Sequence, residues 1–140
     1  MFSSVLVNLH SYSDIGLLAL RIGLAAIFWT HGTRKWPMWK MQPTEQLPLS
    51  MLKILRALSV AEPVGAIAAL LGLLTPLAAL GFAFVMVNAI ILKKKKMKQP
   101  FVNPDMSPGW EFEFIILAAA IALFFLGAGA FSLDRLIFGV

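Results

Sequence analysis

An arginine inside an apolar segment of membrane-spanning length constrains this chain more than any other feature. From Ile15 to Lys35 the sequence runs apolar, with Arg21 embedded in it and His31 and Lys35 at its far end. A guanidinium that deep in hydrocarbon is costly unless other segments bring it an acceptor or a water-filled cavity. The rest of the chain has to answer it. Glu62, Glu111, Glu113 and Asp134 are the acids near enough to apolar segments to do so.

The chain has 140 residues, 59% of them hydrophobic, against about half in a soluble domain. It therefore reads as a single-domain integral membrane protein. A bilayer core of roughly 30 Å takes about 20 apolar residues per helix, with about 17 as the lower end. Four such stretches are visible, at about 15–31, 58–74, 76–92 and 110–126. Ser13 or Asp14 is placed to cap the first. The start of the chain has no Lys or Arg before the apolar run and no cleavage pattern, so the first span is expected to stay in the membrane.

Between spans 1 and 2, Trp36, Pro37, Trp39, Pro43 and Pro48 interrupt any helix of spanning length. Leu49, Leu52, Leu55 and Leu58 with Lys53 and Arg56 then predict a short interfacial helix before span 2. Span 2 carries Glu62-Pro63 near its start and a small-xxx-small pattern at Ala61, Gly65 and Ala69 that lets a neighbouring backbone approach. Thr75-Pro76 reads as a cap followed by a first-turn proline, predicting a tight antiparallel hairpin of spans 2 and 3. Ser107-Pro108 reads the same way before span 4. No internal repeat is visible in the sequence. The expected fold is all-α, a four-helix transmembrane bundle with one interfacial helix.

The loops after spans 1 and 3 hold Arg34, Lys35, Lys40, Lys53, Arg56, Lys93, Lys94, Lys95, Lys96 and Lys98, whereas the other side holds Arg135. By the positive-inside rule both loops face the cytoplasm and both termini lie outside the cell membrane. Trp36, Trp39 and Trp110 fall on the same inner boundary. The net charge of +5 thus reads as topology and contact with anionic lipid, not as nucleic-acid binding.

A rise of about 1.5 Å per residue converts this topology into depth. His31, Lys35, Glu62, Asn88 and Glu111 come out in the inner half, as one candidate polar pocket. Arg21 lies 14 positions from Lys35, roughly 21 Å away, and belongs to the outer half with Asp134. The expected arrangement is a structural ion pair, Arg21 with Asp134, in which removing both members is milder than removing one. On the Arg21 stripe, Phe28, Gly32 and Lys35 should face the bundle. Gly32 and Gly65 should let spans 1 and 2 close on each other, and an acid such as Glu62 inside a span marks a proton pathway or a paired interior. With no cysteine, dithiol relays, thiolate metal sites and thioether haem attachment are excluded. His10 and His31 lie on opposite sides, so neither haem nor another metal is expected.

Taken in order, Arg21-Ile22-Gly23, His31-Gly32, Lys35, Glu62-Pro63-Val64-Gly65, Leu71-Gly72-Leu73-Leu74-Thr75, Ala78-Ala79-Leu80, Gly109-Trp110-Glu111 and Gly127 to Asp134 resemble the DoxX-type small membrane proteins. That family is related to the small subunit of thiosulfate:quinone oxidoreductase. The resemblance runs from about Leu17 to Asp134 and implies four membrane helices. It also implies a small subunit of a quinone-linked redox complex, with a partner redox subunit, quinone as the ligand and no covalent cofactor. Quinone reduction consumes two protons, so such a site needs titratable groups at the head and an apolar slot for the tail. His31, Glu62 and Glu111 are the residues available for the first. A non-catalytic anchor or assembly subunit is the alternative, and homo-oligomerisation stays open. A solute or proton conductor is the weakest reading, because no broken-helix pair is visible beyond Pro63.

The topology is testable in this cysteine-free chain. In intact cells an impermeant thiol reagent should label Ser4→Cys and spare Ser107→Cys, and the reverse pattern inverts the orientation.

Overall fold

A computed structural model describes residues 10–105 and 107–139 of the chain. The expectation about an uncleaved start rests on Met1 to Ser13 and the apolar run after it, of which residues 1–9 lie outside the described residues. Among those described there are five α-helices and no strand: α1 (Ser13–Thr33), α2 (Leu49–Leu71), α3 (Thr75–Ile91), α4 (Glu111–Leu126) and α5 (Leu133–Phe138). A 3-10 turn, Trp36–Trp39, follows α1, and a π turn, Leu92–Lys96, extends α3. Three segments are long and apolar enough to cross a membrane: Ser13–Trp39, Leu49–Leu71 and Thr75–Lys96. α4 is apolar but shorter, at 16 residues.

The separate interfacial helix is not found. Leu49 continues without a break into span 2, because nothing between Leu49 and Ala61 interrupts helical hydrogen bonding and Pro63 bends into the helix instead of ending it. The predicted caps also differ. No side chain of Ser13 or Thr75 caps its helix, and α4 begins at Glu111, three residues beyond Pro108.

The packing follows two pairs, α1 with α2 and α3 with α4, and the α2–α3 contact is the lesser one despite the short turn joining them. The buried core lies between the pairs, where Phe28 of α1 stacks on Phe82 of α3 at a ring-centroid distance of 3.8 Å. Ala69, Ala79 and Ala120 are fully enclosed around it; alanine costs no side-chain entropy there and lets backbones approach. Outside this core, Leu77, Phe84 and Phe125 are exposed. Large apolar side chains turned outward on every long helix are what a hydrocarbon surrounding requires.

Glycine decides one helix approach. A Cβ on Gly32 would lie 2.3 Å from Cδ of Pro63 and 3.1 Å from Cβ of Glu62, so α1 reaches α2 only because position 32 has no side chain. Gly65 does different work from that expected: its bare face meets the ring of Phe82 on α3, not α1. Gly32→Ala should therefore lower stability by about 1–3 kcal/mol through overpacking. Gly81→Ala, where nothing lies within 4 Å, should be neutral or up to about 1 kcal/mol stabilising. Thermal unfolding in detergent measures both, and equal loss at the two positions would remove this account of the α1–α2 contact.

Candidate functional site

Two polar centres occupy the two ends of the bundle. The first is built around Arg21, which is almost fully buried. Its Nε donates to the carbonyl of Ala69 at 2.9 Å and its Nη2 to that of Leu70 at 2.7 Å. Nη1 donates to the carbonyls of Ala128 and Phe131 at 2.7 and 2.8 Å. Ala69 and Leu70 lie in the last turn of α2, where carbonyls lack full intrahelical pairing and the helix dipole is negative. The guanidinium satisfies both requirements.

Asp134 does not pair directly with it. Its two carboxylate oxygens accept from the backbone N–H groups of Leu74 and Thr75 at 2.6 and 2.8 Å, the positively polarised start of α3. The Asp134 N–H in turn donates to the Gly72 carbonyl at 2.8 Å. The expected ion pair is thus replaced by two separate helix-end contacts on one turn. Gly72 (φ +64°) closes α2, and a Cβ there would meet Ser132 and the Arg21 guanidinium. Leu74 also takes a left-handed conformation, φ 49°, held by its bond to Asp134.

At the other end, Lys35 forms an ion pair with Glu62, whose side chain is 4% exposed. Lys35 Nζ also donates to the His31 carbonyl at 3.1 Å. The geometry that delivers Lys35 starts from Pro63. Proline lacks the N–H that would bond the carbonyl four residues earlier, which here is Ser59. That carbonyl accepts instead from the indole of Trp36 at 3.1 Å, while Trp39 donates to the Ser59 hydroxyl at 2.8 Å. Arg56 ties down the same turn through the carbonyls of Met38 and Met41. The Trp36–Trp39 turn is therefore clamped on α2, and Lys35, just before it, is carried to Glu62.

The remaining members of the predicted pocket are placed as follows. The His31 side chain is exposed and stacks on Phe112 at a centroid distance of 6.4 Å. Asn88 is exposed and donates to the Phe84 carbonyl of its own helix. Glu111 lies beside Gly109, with one buried oxygen that has no partner. So Lys35 and Glu62 come together, His31 lies one turn from them, and Asn88 and Glu111 are not bonded to the pair. Sequence reasoning passed over a second ion pair, Lys93 with Glu113 at 2.8 Å. It also passed over Ser59, although a proline inside a helix already signals that the residue four positions earlier needs an outside donor.

Two recesses flank these centres. One, of about 330 Å³, runs between α1 and α2 past Ala25, Trp29, Thr30, Ala66 and Ile67. The other, of about 860 Å³, lies at the Arg21 end and includes Leu17, Leu20, Phe124, Phe125, Asp14 and Arg135.

Long apolar helices, outward-facing apolar side chains and charged groups held inside the helix bundle define a small helical membrane protein. The DoxX family model matches residues 16–94, and the chain belongs to this family. It is 30% identical over 131 residues to the Bacillus subtilis (strain 168) protein named "Putative oxidoreductase CatD", covering 89% of each chain. No solved structure matches.

The Arg21 centre gives a test that separates helix-end contacts from a direct pair. Arg21→Met leaves four carbonyls, two of them in buried and two in part-buried bonds, short of a donor and should cost about 3 kcal/mol or more, at about 1–3 per unsatisfied group with partial relaxation. Arg21→Lys should recover little, because one ammonium cannot span acceptors fixed for a planar fork. Combined with Asp134→Asn, the loss should be at least as large as in either single variant. Recovery of stability in the double variant, read by thermal unfolding, would restore the direct pair.

Proposed function

We propose that this protein is the membrane subunit of a quinone-linked redox complex, with four spans in the cell membrane, both termini outside and the lysine-rich loops against anionic lipid on the cytoplasmic side. The Lys35–Glu62 pair, with its carboxylate buried and its ammonium partly exposed, carries this reading. A partly buried ion pair at a helix interface is weak evidence for stability, since desolvation of the carboxylate offsets much of its attraction, whereas a carboxylate held at the edge of the hydrocarbon is suited to exchanging protons with a ligand. His31, one turn from Lys35, is exposed and supplies a second titratable group on the same side. The recess between α1 and α2, lined by Ala25, Trp29 and Ala66, offers an apolar slot ending one turn from Glu62. A relative named as an oxidoreductase supports the same class of chemistry.

In this reading Glu62 and His31 hold and release protons at the quinone head, Lys35 keeps the carboxylate oriented, and a partner subunit supplies the electrons. The anchoring role is the second reading, favoured by how fully Arg21 is committed to backbone carbonyls. Membranes containing the intact complex distinguish the two. Glu62→Gln should slow reduction of a short-chain quinone by about 100-fold, the usual scale for losing a general acid, while leaving complex assembly intact. An unchanged rate with unchanged pH dependence would make Glu62 structural and leave the anchor.

A further inference from the structure

The second ion pair, Lys93–Glu113, stands in the same relation to α3 and α4 as Lys35–Glu62 does to α1 and α2. In each case the lysine follows the C-terminal end of one helix and the glutamate lies on the next, at mid-helix for Glu62 and in the first turn for Glu113. Lys93 follows Lys35 by 58 positions, and Glu113 follows Glu62 by 51. These two offsets come from the ion pairs alone, yet they superimpose part of the buried stripes, although Ala25, Gly32, Pro63 and Ala66 fall on positions that are not buried. Shifted by 58, Arg21, Leu24 and Phe28 fall on Ala79, Phe82 and Met86, all buried; shifted by 51, Glu62, Ala69 and Gly72 fall on Glu113, Ala120 and Leu123, also all buried. The packing in two pairs has the same division. The two helix pairs are thus alike in part, a relation that residue identities conceal because only the ion pair, Gly23 with Gly81 and a few alanines coincide.

We propose that Lys93 and Glu113 form a second polar site, the counterpart of Lys35–Glu62, and that it takes the hydroxyl or carbonyl of the same quinone-type head group. This rests on the function proposed above for the first site. Lys93 Nζ donates to the Gly109 carbonyl at 2.7 Å as well as to Glu113 Oε1. Glu113 is nine-tenths buried, and its Oε2 has no donor. A buried carboxylate oxygen left without a donor is costly, and a quinol hydroxyl or a water supplies what it lacks. Two residues earlier, Glu111 Oε2 is also buried and unpartnered, against Gly109, and the Lys94 ammonium lies 5.6 Å from the Trp110 ring centroid. The centre therefore offers a buried acceptor without a donor and, nearby, a cation beside an aromatic ring, as a head-group site at a membrane boundary requires.

Infrared difference spectroscopy of the purified protein in lipid nanodiscs, with and without a short-chain benzoquinone and after its reduction to the quinol, tests the proposal through the carboxyl bands. The wild type should show two perturbed carboxyl groups. Glu62→Gln should remove one, Glu113→Gln the other, and the double change both. Glu113→Asp keeps the charge beside Lys93 and should shift the second band in frequency, which keeps the test readable if the Gln variant folds poorly. If Glu62→Gln abolishes the whole signal while Glu113→Gln and Glu113→Asp leave it unchanged, the Glu113 oxygen is satisfied by water and the second site is overturned with the first intact. Absence of any quinone-dependent carboxyl signal in the wild type overturns both sites together.

Discussion

Two helix ends of opposite polarity meet in the turn from Gly72 to Leu74, and this end of the bundle depends on how they are neutralised. α2 arrives with negatively polarised carbonyls and α3 leaves with positively polarised N–H groups, only a few residues apart. Arg21 takes the first and Asp134 takes the second. Each charge therefore has a partner of fixed partial charge, without the geometric demands of a direct ion pair. Because Arg21 also holds the carbonyls of Ala128 and Phe131, α1, α2 and the chain after α4 are joined by one side chain. The charge that made span 1 look unfavourable in hydrocarbon is what ties three segments together.

The opposite end is organised by a missing hydrogen bond. Pro63 removes one N–H from α2, the Ser59 carbonyl is left free, and Trp36 fills the vacancy. The same proline ring needs the bare face of Gly32, so the helix approach and the clamped turn have a common cause. Lys35 meets Glu62 as the outcome of both. This is why Asn88 and Glu111 do not join that pair. Asn88 can satisfy its amide on its own helix, and α4 packs mainly on α3, with its own lysine.

Fold and site differ in how directly the residues encode them. An apolar run of about 20 residues has one low-energy backbone in lipid, since only a helix satisfies its own N–H and C=O groups there. The three long helices were legible on that ground. The division into an interfacial helix and span 2 was not. Lys53 and Arg56 mark where a segment meets water, but a change in polarity does not break a hydrogen-bonded helix, and α2 runs straight through.

Sequence alone determined that this is a helical membrane protein, that Arg21 needs acceptors from other segments, and that Glu62 belongs near Lys35. These follow from composition, from the cost of a buried charge and from depth along a regular helix, all of them local or additive quantities. Tertiary structure decided which acceptors Arg21 takes, that Asp134 caps α3 without pairing with it, and that the helices group as α1 with α2 and α3 with α4. The physical reason is that a charge in hydrocarbon is satisfied equally well by an opposite charge or by a set of oriented carbonyls. Only the positions of the helix ends in space determine which of the two is within reach.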